Sequence, residues 1–256
     1  MTNPVPYLLR VRVKPERVQA TDYPFNLALI RTLDVDFRSP VTFFVGENGT
    51  GKSTVIEGLA EVCRLPVSGG SRNELAANHG PESASALAPA LRPAFRRRPP
   101  DCYFLRAEFQ AHFASLLDAR KDDPDFWGDP YGRYGGQSLH TRSHGEAFLA
   151  ILKHRIRSGL FLFDEPESAL SPQRQLALLA HMAAQVSIGK AQFIVATHSP
   201  ILLTFPHAQI LSFDGDAVRP ISIEETSHYQ ITRGILQNPA SYWKHLQPVK
   251  EEKARA

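Results

Sequence analysis

Eight consecutive residues, Gly46-Glu47-Asn48-Gly49-Thr50-Gly51-Lys52-Ser53, fit the spacing G-x-x-x-x-G-K-[ST]. The glycines let the backbone take positive φ and approach an anion closely, so that successive N–H groups converge on phosphate oxygens. Lys52 adds a compact positive charge for the β- and γ-phosphates, and Ser53 offers a hydroxyl to Mg²⁺. Thr54 supplies a further hydroxyl for the α-phosphate. The bland alternative is a glycine-rich turn that happens to contain Lys-Ser, and context decides against it. Residues 41–45, Val-Thr-Phe-Phe-Val, read as a buried strand, and the spacing of Val55, Leu59 and Val62 predicts a helix directly after the loop. A helix starting at the loop aims its orphan N–H groups and its positive dipole end at the same point.

A second chemical cluster lies downstream. The apolar run Leu160-Phe161-Leu162-Phe163 leads straight into Asp164-Glu165-Pro166. Open α/β sheets place ligands at the C-terminal ends of their strands. Asp164 can hold Mg²⁺ there, usually through a water, and Glu165 can polarise an attacking water. Asp-Glu-Pro is also good turn composition; the phosphate loop favours the catalytic reading, because phosphoryl transfer to water needs a metal ligand and a water-orienting group. Residues 193–197 end in the same way at His198, which is 34 residues past Asp164 and is placed to donate a hydrogen bond to a γ-phosphate.

These groups need a scaffold. Residues 5–13 and 33–37 predict two N-terminal strands, joined by a loop in which Tyr23 is a candidate for stacking on an adenine ring. A surface or core aromatic is the competing reading of Tyr23. Residues 66–100, rich in Gly, Ser, Ala and Pro, predict a mobile insertion or lid outside the core. A strand at 102–105 and a helix at 108–119 follow, then an irregular segment at about 120–142. Ser143-His144-Gly145-Glu146 opens a helix reaching about residue 157. Ser171-Pro172 starts another helix, with Ser171 as N-cap and Pro172 at the first helical position, and Leu176, Leu179, Ala180 and Ala183 on one face. Asp214-Gly215 is a hairpin signal between 209–213 and 217–223. Strands alternating with helices predict a mostly parallel sheet covered on both faces.

Bulk properties exclude several classes. The 256 residues suffice for one large α/β domain or one domain with an inserted lid. Lys and Arg (29) nearly balance Asp and Glu (26), so the basic cluster at 92–98 argues only weakly for nucleic acid, and Arg96-Arg97-Arg98 within it reads as a solvated loop. Two cysteines, Cys63 and Cys102, have no metal-ligand spacing and sit in apolar surroundings, as small buried side chains do. A reducing cytoplasm is the expected location, since no leader or membrane-spanning run is present.

Taken together, residues 46–53, Asp164-Glu165-Pro166 with Ser168-Ala169-Leu170, and Thr197-His198-Ser199 resemble the ABC-type ATPases, over roughly residues 30–215. Asn48 makes the loop more similar to the chromosome-maintenance and recombination-repair branch and to small bacterial AAA-family ATPases. Transporter subunits usually carry Ser there. The resemblance implies a P-loop α/β three-layer sandwich with an antiparallel N-terminal edge and a short lid, spanning 1–224, followed by a helical tail at 225–256. It implies ATP and Mg²⁺ as ligands, with residues 46–54 on the phosphates and Ser53 and Asp164 on the metal. Glu165 and His198 would be catalytic, in a head-to-tail homodimer. In that family a Leu-Ser-Gly-Gly-Gln/Glu signature completes the partner's site. Gly135-Gly136-Gln137-Ser138 is one candidate. Ser143, Gly145 and Glu146 form the other, favoured because 21 residues from Ser143 to Asp164 leave room for a helix and a returning strand. Arg142 and His144 depart from the pattern, and Ser171 stands where the family usually has Asp or His-Pro. The glutamine that senses magnesium in the family has Gln110 as its candidate here, with Glu108 equally placed. A protein partner, DNA-related or defence work, an ATP-dependent switch without hydrolysis, and a transporter subunit are the readings of what the cycle would drive.

Overall fold

The computed structural model describes residues 5–74 and 84–246. In chain order the elements are β1 (Leu8–Val13), α1 (Ala28–Arg31), β2 (Asp34–Asp36), β3 (Val41–Val45), α2 (Lys52–Val62), β4 (Leu91–Phe95), β5 (Cys102–Arg106), α3 (Gln110–Asp122), α4 (His144–Arg155), β6 (Gly159–Asp164), α5 (Pro172–Ser187), β7 (Ala191–Ala196), β8 (Gln209–Ser212), β9 (Arg219–Pro220), α6 (Ser227–Gln237) and α7 (Pro239–Leu246). The main sheet has the order β5-β6-β7-β3-β8-β9 and is parallel except for β9, which closes the hairpin after Asp214-Gly215. A second, antiparallel sheet has the order β2-β1-β4.

Alternation along the central strands assigns side chains to the two faces, as a period of two requires. Phe43, Val45, Phe161, Phe163, Phe193 and Val195 face one side, where Phe113 and Leu117 of α3, Phe148 and Ile151 of α4, and Leu178 and Met182 of α5 cover them. Phe44, Phe104, Leu160, Leu162 and Ile194 face the other, against α1, α2 and the antiparallel sheet. Both faces are dry, which explains why these strands read as unbroken apolar runs. Each such fully buried side chain contributes about 1.5–3 kcal/mol.

The two sheets are joined by a buried amide. Gln192 of β7 accepts the Leu8 N–H at Oε1 (2.9 Å) and donates through Nε2 to the Leu8 carbonyl (3.0 Å). Tyr7 Oη donates to the Lys190 carbonyl (3.0 Å) beside it.

Three expectations need correction. The segment 66–100 is not a lid throughout: β4 lies within it and pairs along β1, while Leu87, Ala90 and Leu91 are buried in the core. Residues 75–83 of that segment lie outside the described residues. Pro93 and the arginines at 92 and 96 disguise β4, yet at the edge of a sheet a strand tolerates both proline and an exposed polar face. On α5 the buried face is Gln175, Leu178 and Met182, while Leu176 is exposed. A polar Gln175 anchors that face because its amide donates to the Leu170 carbonyl (3.2 Å) and accepts from Ser199 Oγ (2.5 Å). Ser171 does take the N-cap backbone conformation, with Pro172 opening the helix, but its side chain makes no capping hydrogen bond.

The expected tail forms α6 and α7, and residues 247–256 lie outside the described residues. Among the described residues no helix is long and apolar enough to cross a membrane.

Candidate nucleotide site

Register brings the chemical residues to one sheet edge. Phe44 and Asp164 both pair with Ala196, and Arg106 pairs with Asp164. The loop after β3, the acidic turn after β6 and the histidine after β7 therefore leave the sheet side by side.

The loop after β3 is shaped by its glycines. Gly46 has φ +146°, and a Cβ there would lie 2.9 Å from Asp214 Oδ1, the same oxygen that accepts the Glu47 N–H (2.9 Å). Gly51, at φ +97°, is the left-handed N-cap of α2, a conformation natural to glycine. Lys52 reaches back across the loop and donates from Nζ to the carbonyls of Gly46 (2.6 Å) and Glu47 (2.8 Å). Burial lowers its pKa, opposed by the charges of Glu165, Asp164, Asp214 and Glu47. The Thr50 hydroxyl donates to the Glu47 carbonyl (2.9 Å) and stiffens the turn. Asn48 and Gly49 form its outer part, with Gly49 at φ +80°.

Ser53 Oγ donates to Asp164 Oδ1 at 3.0 Å. Asp164 is buried, and burial pushes its pKa up to about 7 against the opposing pull of Arg106 and the Ser53 hydrogen bond. Arg106 Nε lies 3.7 Å from Asp164 Oδ2, and its Nη1 pairs with Glu57 of α2 at 3.0 Å. Glu165 sits at φ +46°, a left-handed conformation that is strained for a residue with a side chain. Its N–H donates to the Ala196 carbonyl (3.0 Å), and its Oε1 lies 3.5 Å from His198 Nε2. His198 donates its own backbone N–H to Glu167 Oε1 (2.5 Å). Its Nδ1 is 2.8 Å from His228 Nε2, while its buried Nε2 makes no hydrogen bond.

Tyr23 is brought to the same place, with its hydroxyl 2.6 Å from Thr54 Oγ1 and its ring largely exposed. Gln110 opens α3, four residues after β5 ends. Glu108, its rival, is exposed and pairs with Arg106. Ser143 is the N-cap of α4 in a full capping box with Glu146, whose Oε2 accepts from both Ser143 N (2.9 Å) and Ser143 Oγ (2.8 Å). Arg174 of α5 packs over Gly145, where a Cβ would lie 2.2 Å from its Nη1, and that Nη1 is 3.4 Å from Ser143 Oγ. The rival candidate, residues 135–138, leads into a short 3-10 turn at Leu139–Thr141 rather than into an α-helix.

Sequence reasoning missed Arg106, Glu167 and His228. Glu167 carried a signal, since the turn after Asp164 holds a third acidic residue. His228 carried none, being one of ten histidines.

The donor set suits ATP with magnesium. One buried carboxylate and one hydroxyl are what Mg²⁺ takes when phosphates and waters supply its other ligands. Among the described residues no group of three or more His, Cys, Asp and Glu side chains forms a metal cage of its own. The buried Nε2 of His198, with no hydrogen bond made, fits a phosphate oxygen as acceptor.

This sheet order, with a glycine loop between β3 and α2 and an acidic end to β6, matches the P-loop NTPase fold. The family described as "AAA domain, putative AbiEii toxin, Type IV TA system" matches residues 104–204, and a second AAA-domain family matches residues 25–85. These matches, each over less than half of the chain, and the fold are consistent with a P-loop ATPase of the ABC/AAA type. A comparison with curated proteins found no match. Among solved structures, the inward-facing form of a "putative metal-chelate type ABC transporter" is similar, at 15% identity and a TM-score of 0.54, over 90% of this chain and 88% of that one. An ATP-binding cassette of an ABC transporter is 14% identical with a TM-score of 0.50, over 94% and 99%. At these identities the likeness is one of fold.

Proposed function

We propose that the chain binds ATP with Mg²⁺ and hydrolyses it, at a site completed by a second copy arranged head to tail. The observation that carries this reading is the convergence of Ser53, Asp164, Glu165 and His198 at one sheet edge beside Lys52. Residues 46–54 bind the triphosphate through backbone N–H groups and Lys52, and Tyr23 borders the base. Ser53 and Asp164 hold the metal. When bound, Mg²⁺ neutralises charge on the β- and γ-phosphates. Glu165 orients the attacking water and accepts its proton, and His198 Nε2 donates to a γ-phosphate oxygen. Positioning and charge stabilisation supply most of the rate in such chemistry. Ser143 and Glu146, exposed at the N-terminus of α4, with Gly145 covered by Arg174 between them, are the candidates offered to the γ-phosphate in the partner's site. Gln110 is the candidate link from metal to α3.

Glu165→Gln tests the reading. It should abolish turnover while ATP binding persists, and should convert monomer to dimer on adding ATP, read by size-exclusion chromatography with light scattering. Parental turnover in Glu165→Gln refutes Glu165 as the base, and a monomer at saturating ATP refutes the composite site.

A further inference from the structure

His198 is held from three sides. Its backbone N–H is fixed by Glu167, its Nε2 lies 3.5 Å from Glu165 Oε1, and its Nδ1 lies 2.8 Å from Nε2 of His228. His228 is the second residue of α6, which starts at a Thr226 cap: the buried Thr226 accepts the Tyr229 N–H at Oγ1 (3.3 Å) and donates to the Ile223 carbonyl (2.7 Å). The two imidazoles meet edge to face, with centroids 4.8 Å apart. The tail helix is therefore in direct contact with the histidine of the nucleotide site.

Two neutral imidazoles in this contact share one proton, and its position decides what the other nitrogen of His198 can do. With the proton on His198 Nδ1, a bare lone pair at Nε2 would face the Glu165 carboxylate, which is repulsive and donates nothing. With the proton on His228 Nε2, His198 carries its own proton on Nε2, towards Glu165. We propose that His228 is a positioning residue: its Nε2–H donates to His198 Nδ1 and fixes His198 as the Nε2–H tautomer, the form able to donate to a phosphate oxygen. This inference rests on the role given to His198 above. The groups facing His198 are Lys52 and Glu47 of the loop, Glu165 and Glu167 after β6, and His228 of α6. Burial, then Lys52 and His228, lower the His198 pKa, which favours its neutral form near pH 7. Hydrogen bonds behind a working imidazole set tautomers in metal sites by the same logic.

The test uses the full chain and two readouts. Long-range ¹H–¹⁵N spectra of the imidazoles, without nucleotide, should show His198 as the Nε2–H tautomer in the parent and as a mixture in His228→Leu. In steady-state turnover His228→Leu should lower kcat by about 10- to 100-fold with the KM for ATP changed less than about threefold. His228→Gln, whose amide N–H can still donate to Nδ1, should recover most of the loss. An Nδ1–H tautomer in the parent overturns the proposal. So does parental turnover in His228→Leu, or equal impairment of the Leu and Gln variants, which is the mark of a mere docking contact. If His198→Ala turns over at the parental rate, the role of His198 falls, and the spectra still decide the tautomer separately.

Discussion

Asp164→Asn should make the protein more stable, and increasingly so as the pH rises. The Asp164 carboxyl is buried, and its pKa in the fold is raised from 3.8 to about 7. The sign follows from linkage. Below pH 3.8 the group is protonated in folded and unfolded chains alike and contributes nothing. Above about pH 7 it is ionised in both, and the fold carries the whole cost of burying the charge. Stability is thus lost as the pH rises between these values, by about 4 kcal/mol in all at 1.36 kcal/mol per pKa unit. About 2 kcal/mol is already lost at pH 5, and roughly 2–3 kcal/mol more by pH 8. Asparagine keeps an acceptor for Ser53 and carries no charge, so its stability is free of this dependence. The attraction of Arg106 acts on the ionised carboxylate and is already contained in the raised pKa, so it adds no separate term to the comparison. Urea unfolding followed by far-UV circular dichroism, in EDTA without nucleotide, measures the gap between variant and parent. The gap should widen by roughly 2–3 kcal/mol from pH 5 to pH 8. A gap that is constant or narrows shows that Asp164 ionises normally in the fold, and the desolvation argument fails. Because the same carboxylate is the proposed metal ligand, the stabilised variant should also lose ATP turnover.

Three further outcomes are expected. Gly159→Ala should destabilise the fold by about 3 kcal/mol or more, since its Cβ would lie 2.1 Å from the Asp101 carbonyl oxygen at φ +146°; a urea midpoint unchanged from the parent would contradict this. Arg155→Met should cost about 1–3 kcal/mol, because it removes the paired guanidinium contacts to Asp101, including Nη2 to Oδ1 at 2.8 Å; the comparison is again by urea midpoint. Lys52→Met should weaken binding of a fluorescent ATP analogue by about 10- to 100-fold, and near-parental affinity would show that the loop backbone alone holds the phosphates.

The parts of the site that could be read in advance are those in which local sequence and chemistry coincide. The loop needs its glycines where φ is positive, the lysine must follow them, and Asp164 must end an apolar strand; each constraint leaves a mark within a few residues. The central strands were legible because both faces are buried, which makes Phe43, Phe44, Phe161 and Phe193 adjacent in chemistry as well as in space. β4 was not, because at a sheet edge Pro93 and two arginines satisfy the backbone and solvent without an apolar run. The α5 face was misread because a glutamine, satisfied by Ser199 and the Leu170 carbonyl, occupies a core position that a hydrophobic pattern assigns to leucine. Arg106 and His228 act across 58 and 30 residues of chain, on Asp164 and His198 respectively, and no local pattern encodes such pairs.

The amide of Gln192 has a mechanical consequence. Both polar atoms of the Leu8 backbone end on one side chain of β7, six residues before His198. The antiparallel sheet therefore cannot slide along the main sheet without stripping two buried hydrogen bonds at once. The two sheets are thereby pinned together, with the glycine loop and His198 at the edge of the main one. A stroke driven by the proposed site would then be expected on the opposite face, where α3, α4 and the irregular chain between them are held to the strands by apolar packing. If the site hydrolyses ATP as proposed, crosslinks confined to that face should stall the resulting motion, and crosslinks between the sheets should leave it untouched.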